Sequence, residues 1–217
     1  LADAPRGDEW LSRRERAAFG QLGIEKRRSD WRLGRLAAKA AVGSWLGVEP
    51  ARAGGLAAAD GAPEAHLDGE PARVALSISH RAGRALAVAA AAPVALGCDL
   101  ELLEPRSEAF VREWLAQPER ELLESLPEGR RSLAANLIWA AKEAAAKARR
   151  EGLRLDVRGT AVRPLGVAAP AREWRPLELR WSDGGRITGW WREEPGWVLT
   201  VGADPAPGLP RKLECSD

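Results

Sequence analysis

Twice along this chain a long stretch with helical spacing is followed by short stretches that alternate, and that repetition limits the folds open to it. In the first half Trp31, Leu33, Leu36, Ala37, Ala40 and Trp45 recur at helical spacing between Ile24 and Leu46, and Gly47 supplies a stop. RVALSIS then alternates toward Ser79, ALAVAAA follows the turn at Gly83, and VALGCDL follows Pro93, which predicts one small sheet. Between helix and sheet the Gly-, Ala- and Pro-rich stretch from Gly54 to Pro71 shows neither period and reads as loop with exposed Asp-Gly turns. After Pro105 the pattern returns: short helices from Ser107 to Leu126, a long helix from Arg130 to about Arg150, then the strands TAVRPLGV, REWRPLELRW, RITGWWR and GWVLTVG. The expected fold is therefore α+β, a pseudo-twofold pair of similar lobes, each a long helix packed on a small antiparallel sheet. The lobes are expected at residues 1–104 and 105–217, with the duplication in architecture and no clear sequence repeat. Ligands favour the junction of such lobes.

Charge and length exclude several function classes. A chain of 217 residues with 33 Lys and Arg against 31 Asp and Glu carries +2, so its bulk charge calls for neither a nucleic acid nor a membrane surface as partner. The apolar run from Ala85 to Gly97 is broken by Pro93 and falls well short of the roughly 20 residues that cross a bilayer, so it reads as two buried strands. The opening LADAPRGDEW carries charges where a secretion signal needs an apolar core. Cys98 and Cys215 stand too far apart for a metal-ligand spacing and form no disulfide framework, which suits a reducing compartment, and the cytoplasm is expected. Ten Trp beside two Phe, no Tyr and no Met reads as compositional bias without functional weight.

The apolar run ends in GCDLE, Gly97 to Glu101. In a strand, positions i and i+2 face one side, so Asp99 and Glu101 project together while Leu100 turns into the core. Two carboxylates on one strand face make half of a hard-cation site, although acid-x-acid pairs such as Glu119 and Glu121 also arise by chance. In WAAKEAAAK, Trp139 to Lys147, the spacing sets Trp139, Lys142, Glu143 and Lys147 on adjoining parts of one helical face. The plain structural reading is an i,i+4 ion pair of Glu143 with Lys147 on a solvated, alanine-rich helix, worth a few tenths of a kcal/mol. Trp139 on the same face argues against a purely wet surface. SISH, Ser77 to His80, ends a strand, where a side chain can reach a cleft.

The order SISH, GCDLE, WAAKEAAAK resembles that of the 4'-phosphopantetheinyl transferases of the surfactin-synthetase-activating type, which carry SxSH, GxDxE and WxxKExxxK in a chain of this length. EKRRSDWRLGR, Glu25 to Arg35, is similar to that family's basic segment before its first long helix. The resemblance implies transfer of the phosphopantetheine arm of coenzyme A to a carrier-protein serine, with Mg²⁺ required, Mn²⁺ able to substitute, and 3',5'-ADP released. It implies that Asp99, Glu101 and Glu143 ligate the metal, a hard ion that prefers oxygen. By the same resemblance Lys147 and Lys142 contact the pyrophosphate of the substrate, Ser79 and His80 the 3'-phosphate, and Arg27 and Arg35 add basic contacts to that moiety. Glu143 or a water beside it is the implied base. The implied partner is an acidic helical-bundle carrier, acyl or peptidyl; it is expected to dock near Ser107 to Leu126, because the helices there precede the WAAKEAAAK helix and mix Phe110, Val111 and Leu115 with arginines, so that Arg112, Arg120 or Arg130 would meet its acids, and the protein is expected to act as a monomer.

The chain departs from the pattern at Cys98, where Val or Ile is usual, and at Ala62, where some members carry a lysine in a Gly-Lys-Pro turn. Two other readings use the same residues: a non-catalytic module that binds carrier or nucleotide, and a Mg²⁺-dependent phosphohydrolase acting on coenzyme A.

Overall fold

The computed structural model describes Pro5, residues 7–150 and residues 157–213. Leu1 to Ala4 and Arg6 of the opening segment, and Cys215, lie outside the described residues. Among the described residues there are five α-helices and only antiparallel strand pairings, and no helix is long and apolar enough to cross a membrane. The chain divides into two compact units, the first made of the chain up to Val94 together with the described residues from Arg211, and the second spanning Ala95–Pro210.

The first unit opens with α1 (Arg13–Gly20), begun by a reciprocal Ser12–Glu15 capping box, and α2 (Glu25–Leu46), ended by Gly47 at φ 67°. The basic stretch Glu25 to Arg35 thus forms the first turns of α2 itself rather than a segment before it. Ala38, Val42, Ala53, Ala65, Val74 and Leu76 close the core of this unit. The region expected to be loop carries three strands, β1 (Ala53–Ala57), β2 (Pro63–Leu67) and β3 (Glu70–Pro71), paired in that order. Periodicity hides them because β1 reads AGGLA and must lie close against its neighbours. A Cβ on Gly55 would come within 3.1 Å of Leu76 Cδ2 and 3.2 Å of Ala38 Cβ, so glycine is chosen for the space and not for a turn. The Asp60–Gly61 turn is exposed, as expected.

Strands β4 (Val74–Arg81) and β5 (Arg84–Ala91) form a two-residue hairpin through Ala82 and Gly83, both at positive φ. β6 (Ala95–Leu102), which carries GCDLE, does not join them. It pairs with β10 (Trp197–Asp204), setting Asp99 opposite Thr200, and so belongs to the second unit. The division therefore falls before Ala95, ahead of the expected junction after Glu104. The reason is non-local: β6 is buried along most of its length and needs a sheet neighbour with equally apolar sides, which β10 supplies.

In the second unit α3 (Glu108–Trp114) and α4 (Gln117–Ser125) lead into α5 (Glu128–Ala148), followed by β7 (Thr160–Pro164), β8 (Arg175–Trp181), β9 (Arg186–Glu194) and β10 (Trp197–Asp204). The sheet order is β6-β10-β9-β8-β7, with α5 packed on β6 and β10. Leu137 and Ile138 are fully buried, each contributing roughly 1.5–3 kcal/mol of transfer free energy. Ala140, Ala141, Ala144 and Ala145 are also fully buried, so the alanines of this helix are there to let the sheet come close and not merely for helix propensity. The contact is closest at Gly97, where a Cβ would sit 1.7 Å from the Ala144 carbonyl oxygen.

Candidate active site

Because side chains alternate along β6, Gly97, Asp99 and Glu101 share the face turned to α5. Asp99 and Glu101 are 5 % and 6 % exposed, and burying two carboxylates so deeply requires partners. Asp99 finds one in Lys147 of α5, whose Nζ donates to Asp99 Oδ1 at 2.8 Å and to the Cys98 carbonyl at 3.0 Å. Burial pushes the Lys147 ammonium toward its neutral form, but the charge of Asp99 above all outweighs this and lifts its pKa above the usual lysine value. Lys147 is therefore a fixed cation reaching across to the strand.

Glu143 lies one turn before Lys147 on the same helix, with its pKa above the usual carboxylate range. Burial is the main cause and the charge of Asp99 the second, with Lys147 pulling the other way. The structure thus brings Asp99, Glu143 and Lys147 to one spot. Glu101 points to the same side but is held by Arg106, whose Nη2 donates to Glu101 Oε2 at 2.9 Å. Arg106 also donates from Nε to Asn136 Oδ1 at 2.7 Å, and Asn136, fully buried in α5, donates to the Glu104 carbonyl.

The donor chemistry fits a hard divalent cation: all three groups are carboxylates, and a cation would offset both the burial that chiefly raises the proton affinity of Glu143 and the charge of Asp99 that adds to it. Among the described residues, however, no group of three or more acids, histidines or cysteines is drawn together closely enough to hold a metal. Lys147 and Arg106 hold two of the acids.

Lys142 stands elsewhere. Its side chain is fully buried, with Nζ 2.7 Å from Glu119 Oε2 and 2.9 Å from the Trp114 carbonyl, so it does not share the face of Glu143 and Lys147 as the helical spacing suggested. The cause is α4, which packs on α5 and sets the buried carboxylate of Glu119 within reach of Lys142. Glu119, taken from the sequence as a chance acid, is 1 % exposed, and burial raises its pKa even against the charge of Lys142. The contacts of Glu119, Arg106 and Asn136 run between elements and leave no local pattern in the sequence; with Ala116 at the N-cap of α4, Glu119 does not even complete a capping-box motif. Trp139 packs edge-on against Phe110 and Trp114, with centroids 5.3 and 5.4 Å away. Of the residues expected to face a carrier, Leu115 is 1 % exposed and Arg130 is held by Glu193, whereas Phe110, Val111 and Arg112 remain partly or fully exposed.

Residues 95–200 match the 4'-phosphopantetheinyl transferase superfamily. The matched segment is the second unit from β6 into β10, and it contains Asp99, Glu101, Lys142, Glu143 and Lys147. The match supports a transferase of the phosphopantetheinyl kind, and transferases of this superfamily take coenzyme A as substrate, typically with Mg²⁺, and act on carrier proteins. No curated protein matches the chain. The second unit also holds a groove lined by Arg163, Leu165, Leu177, Glu178, Thr188 and Trp190, and none of the expected site residues lines it.

The remaining expected site residues lie in the first unit. His80, at the end of β4, is exposed and approaches α2 where Gly34 leaves room: a Cβ there would be 3.7 Å from His80 Cδ2. Ser79 is 7 % exposed, on the strand beside it. Arg35 follows Gly34 but turns inward, donating to the Gly55 carbonyl and lying over the Trp31 ring, and burial lowers its pKa against the charge of Glu15. Arg27 is exposed, about 12 Å further back along the helix.

Proposed function

We propose that this protein transfers the 4'-phosphopantetheine arm of coenzyme A to a serine of an acyl or peptidyl carrier protein and releases 3',5'-ADP, as an enzyme of the surfactin-synthetase-activating type. What carries the reading is the meeting of Asp99, Glu143 and Lys147 inside the segment that matches the transferase superfamily.

In the reaction the serine oxygen attacks the phosphorus that bears the pantetheine arm. A new P–O bond forms, the bond to the 3',5'-ADP oxygen breaks, and the serine proton passes to the Glu143 carboxylate. Burial and the nearby Asp99 raise the proton affinity of that group, which suits a general base. Lys147, kept charged by its acidic neighbours, offers its ammonium to the pyrophosphate oxygens as they gain charge. Asp99, Glu101 and Glu143 would hold Mg²⁺ or Mn²⁺, which when bound neutralises charge on the pyrophosphate. Arg27, Arg35, Ser79 and His80 serve the 3'-phosphate.

The two units in this reading are a pseudo-twofold pair, and the protein acts as a cytoplasmic monomer. An acidic carrier docks on the face around Phe110, Val111 and Arg112.

The test mixes the protein with coenzyme A and Mg²⁺, with and without a panel of acyl and peptidyl carriers, and follows carrier mass and nucleotide release. A phosphopantetheine mass gain, with 3',5'-ADP formed only when carrier is present, is expected. Nucleotide release without carrier would show hydrolysis instead, and no reaction with any carrier would leave a binding module.

A further inference from the structure

Each unit contains the same buried clamp. In the first, Glu15 occupies the third position of α1 in the capping box; its Oε2 accepts from the Ser12 amide at 2.8 Å and lies 2.9 Å from Lys39 Nζ, and its Oε1 accepts from the Gly55 amide in β1. In the second, Glu119 occupies the third position of α4; its Oε2 accepts from the Ala116 amide at 2.7 Å and lies 2.7 Å from Lys142 Nζ, and its Oε1 accepts from the Val162 amide in β7. Each lysine also donates to a backbone carbonyl, Lys39 to Ala53 and Lys142 to Trp114. Each stands fourteen residues beyond the first residue of its long helix, Glu25 to Lys39 and Glu128 to Lys142. All four side chains are at most 2 % exposed.

A fully buried ion pair is weak evidence for stability, since its desolvation offsets its attraction, but it specifies geometry: the ammonium has one place to go. In the first unit Lys39 is followed by Ala40, with no chemistry to support, so there the clamp only seats a long helix against a short one and a strand. In the second unit the next residue is Glu143. A rotation or slide of α5 that moved Glu143 relative to Asp99 would pull Lys142 off Glu119, at the cost of two uncompensated buried charges. We infer that Glu119 and Lys142 are positioning residues, a fold-locking clamp present in both units and used in the second to fix the setting of Glu143, and that Lys142 does not touch coenzyme A. This rests on the transfer reading for its kinetic consequence but not for its structural one.

Lys142→Met alone leaves Glu119 buried without its cation and is expected to fold poorly, so the test uses Glu119→Gln with Lys142→Met, which keeps shape and removes both charges. Its counterpart is Glu15→Gln with Lys39→Met. The readouts are melting temperature, KM for coenzyme A, kcat for carrier loading, and amide hydrogen exchange across residues 139–147. For the second-unit pair, kcat is expected to fall about tenfold with KM for coenzyme A within twofold of wild type, and exchange across 139–147 to rise at least about fivefold. The first-unit pair shifts the melting temperature by a similar amount and leaves kcat within twofold. A KM for coenzyme A raised tenfold or more would make Lys142 a substrate contact and overturn the inference, as would unchanged exchange across 139–147 or an unchanged kcat. If the wild type itself loads no carrier, the transfer reading fails, and the exchange result alone decides whether the clamp sets this turn of α5.

Discussion

Gly97→Ala is the sharpest test of how the acids are placed. The added Cβ would lie 1.7 Å from the Ala144 carbonyl oxygen, 2.7 Å from its carbon and 2.9 Å from the Ala148 nitrogen. These are backbone atoms inside a buried helix, so no side chain can rotate away. Reaching ordinary contact requires β6 and α5 to part by about 1.5 Å in an interior packed without spare volume. Overpacking costs roughly 1–3 kcal/mol where side chains can adjust, so about 3 kcal/mol is expected here, or a melting-temperature loss of about 6–12 °C for a chain of this size. The same parting separates Asp99, two residues along β6, from Glu143 and Lys147 on the helix. A displacement of about 1 Å can cost on the order of 10²-fold in rate, so carrier loading should fall by at least that factor, beyond what lost stability explains at a temperature where the variant is still folded. The assay is carrier mass against time beside a thermal melt. Gly129→Ala is the control, because its Cβ meets nothing within 4 Å; it should gain about 0.4–1 kcal/mol and load normally. A Gly97→Ala protein with wild-type melting and loading would refute the close seating of β6 on α5 and the placement of the acids that depends on it.

Other outcomes follow from individual contacts. Glu143→Gln should reduce loading at least about 10²-fold without loss of fold. Because the folded pKa of Glu143 is raised, the native state binds its proton more tightly than the unfolded chain does; that stability is full below roughly pH 4.3 and is lost as pH rises through the folded value, so in EDTA at neutral pH the Gln variant should melt no lower than wild type. A variant that melts lower there would show Glu143 to be a structural ion pair. Arg27→Ala, at an exposed site, should raise KM for coenzyme A about 10- to 100-fold while leaving its 3'-dephospho form and the melting temperature unchanged, and equal effects on both substrates would move it from the 3'-phosphate. Arg35→Ala, held among Trp31 and Gly55, should also lower the melting temperature. Arg112→Glu should slow carrier association at low salt without changing the melt, whereas Arg130→Glu should chiefly destabilise, because Arg130 holds Glu193 and the Val167 and Ala169 carbonyls; an Arg112→Glu protein with unchanged association would move the docking face.

Local pattern alone determined the two long helices, the short helices between them and the later strands, since each follows from the spacing of apolar residues and the placement of Gly and Pro within a few turns of chain. It also determined that Asp99 and Glu101 share a face and that Glu143 and Lys147 lie one turn apart, both consequences of fixed helical and strand periods. Tertiary structure decided where these pieces go. β6 follows the first-half strands in the chain yet pairs with β10, because strand pairing depends on distant apolar partners that no local window contains. Lys142 and Lys147 are indistinguishable by spacing, but a carboxylate on α4 draws one into the core while Asp99 draws the other to the strand, so electrostatic contacts between elements set them in different places. Glycine was ambiguous for the same reason: at Gly47 it ends a helix through its own backbone angle, while at Gly55 and Gly97 it is required by atoms belonging to other elements, which become neighbours only when the chain is folded.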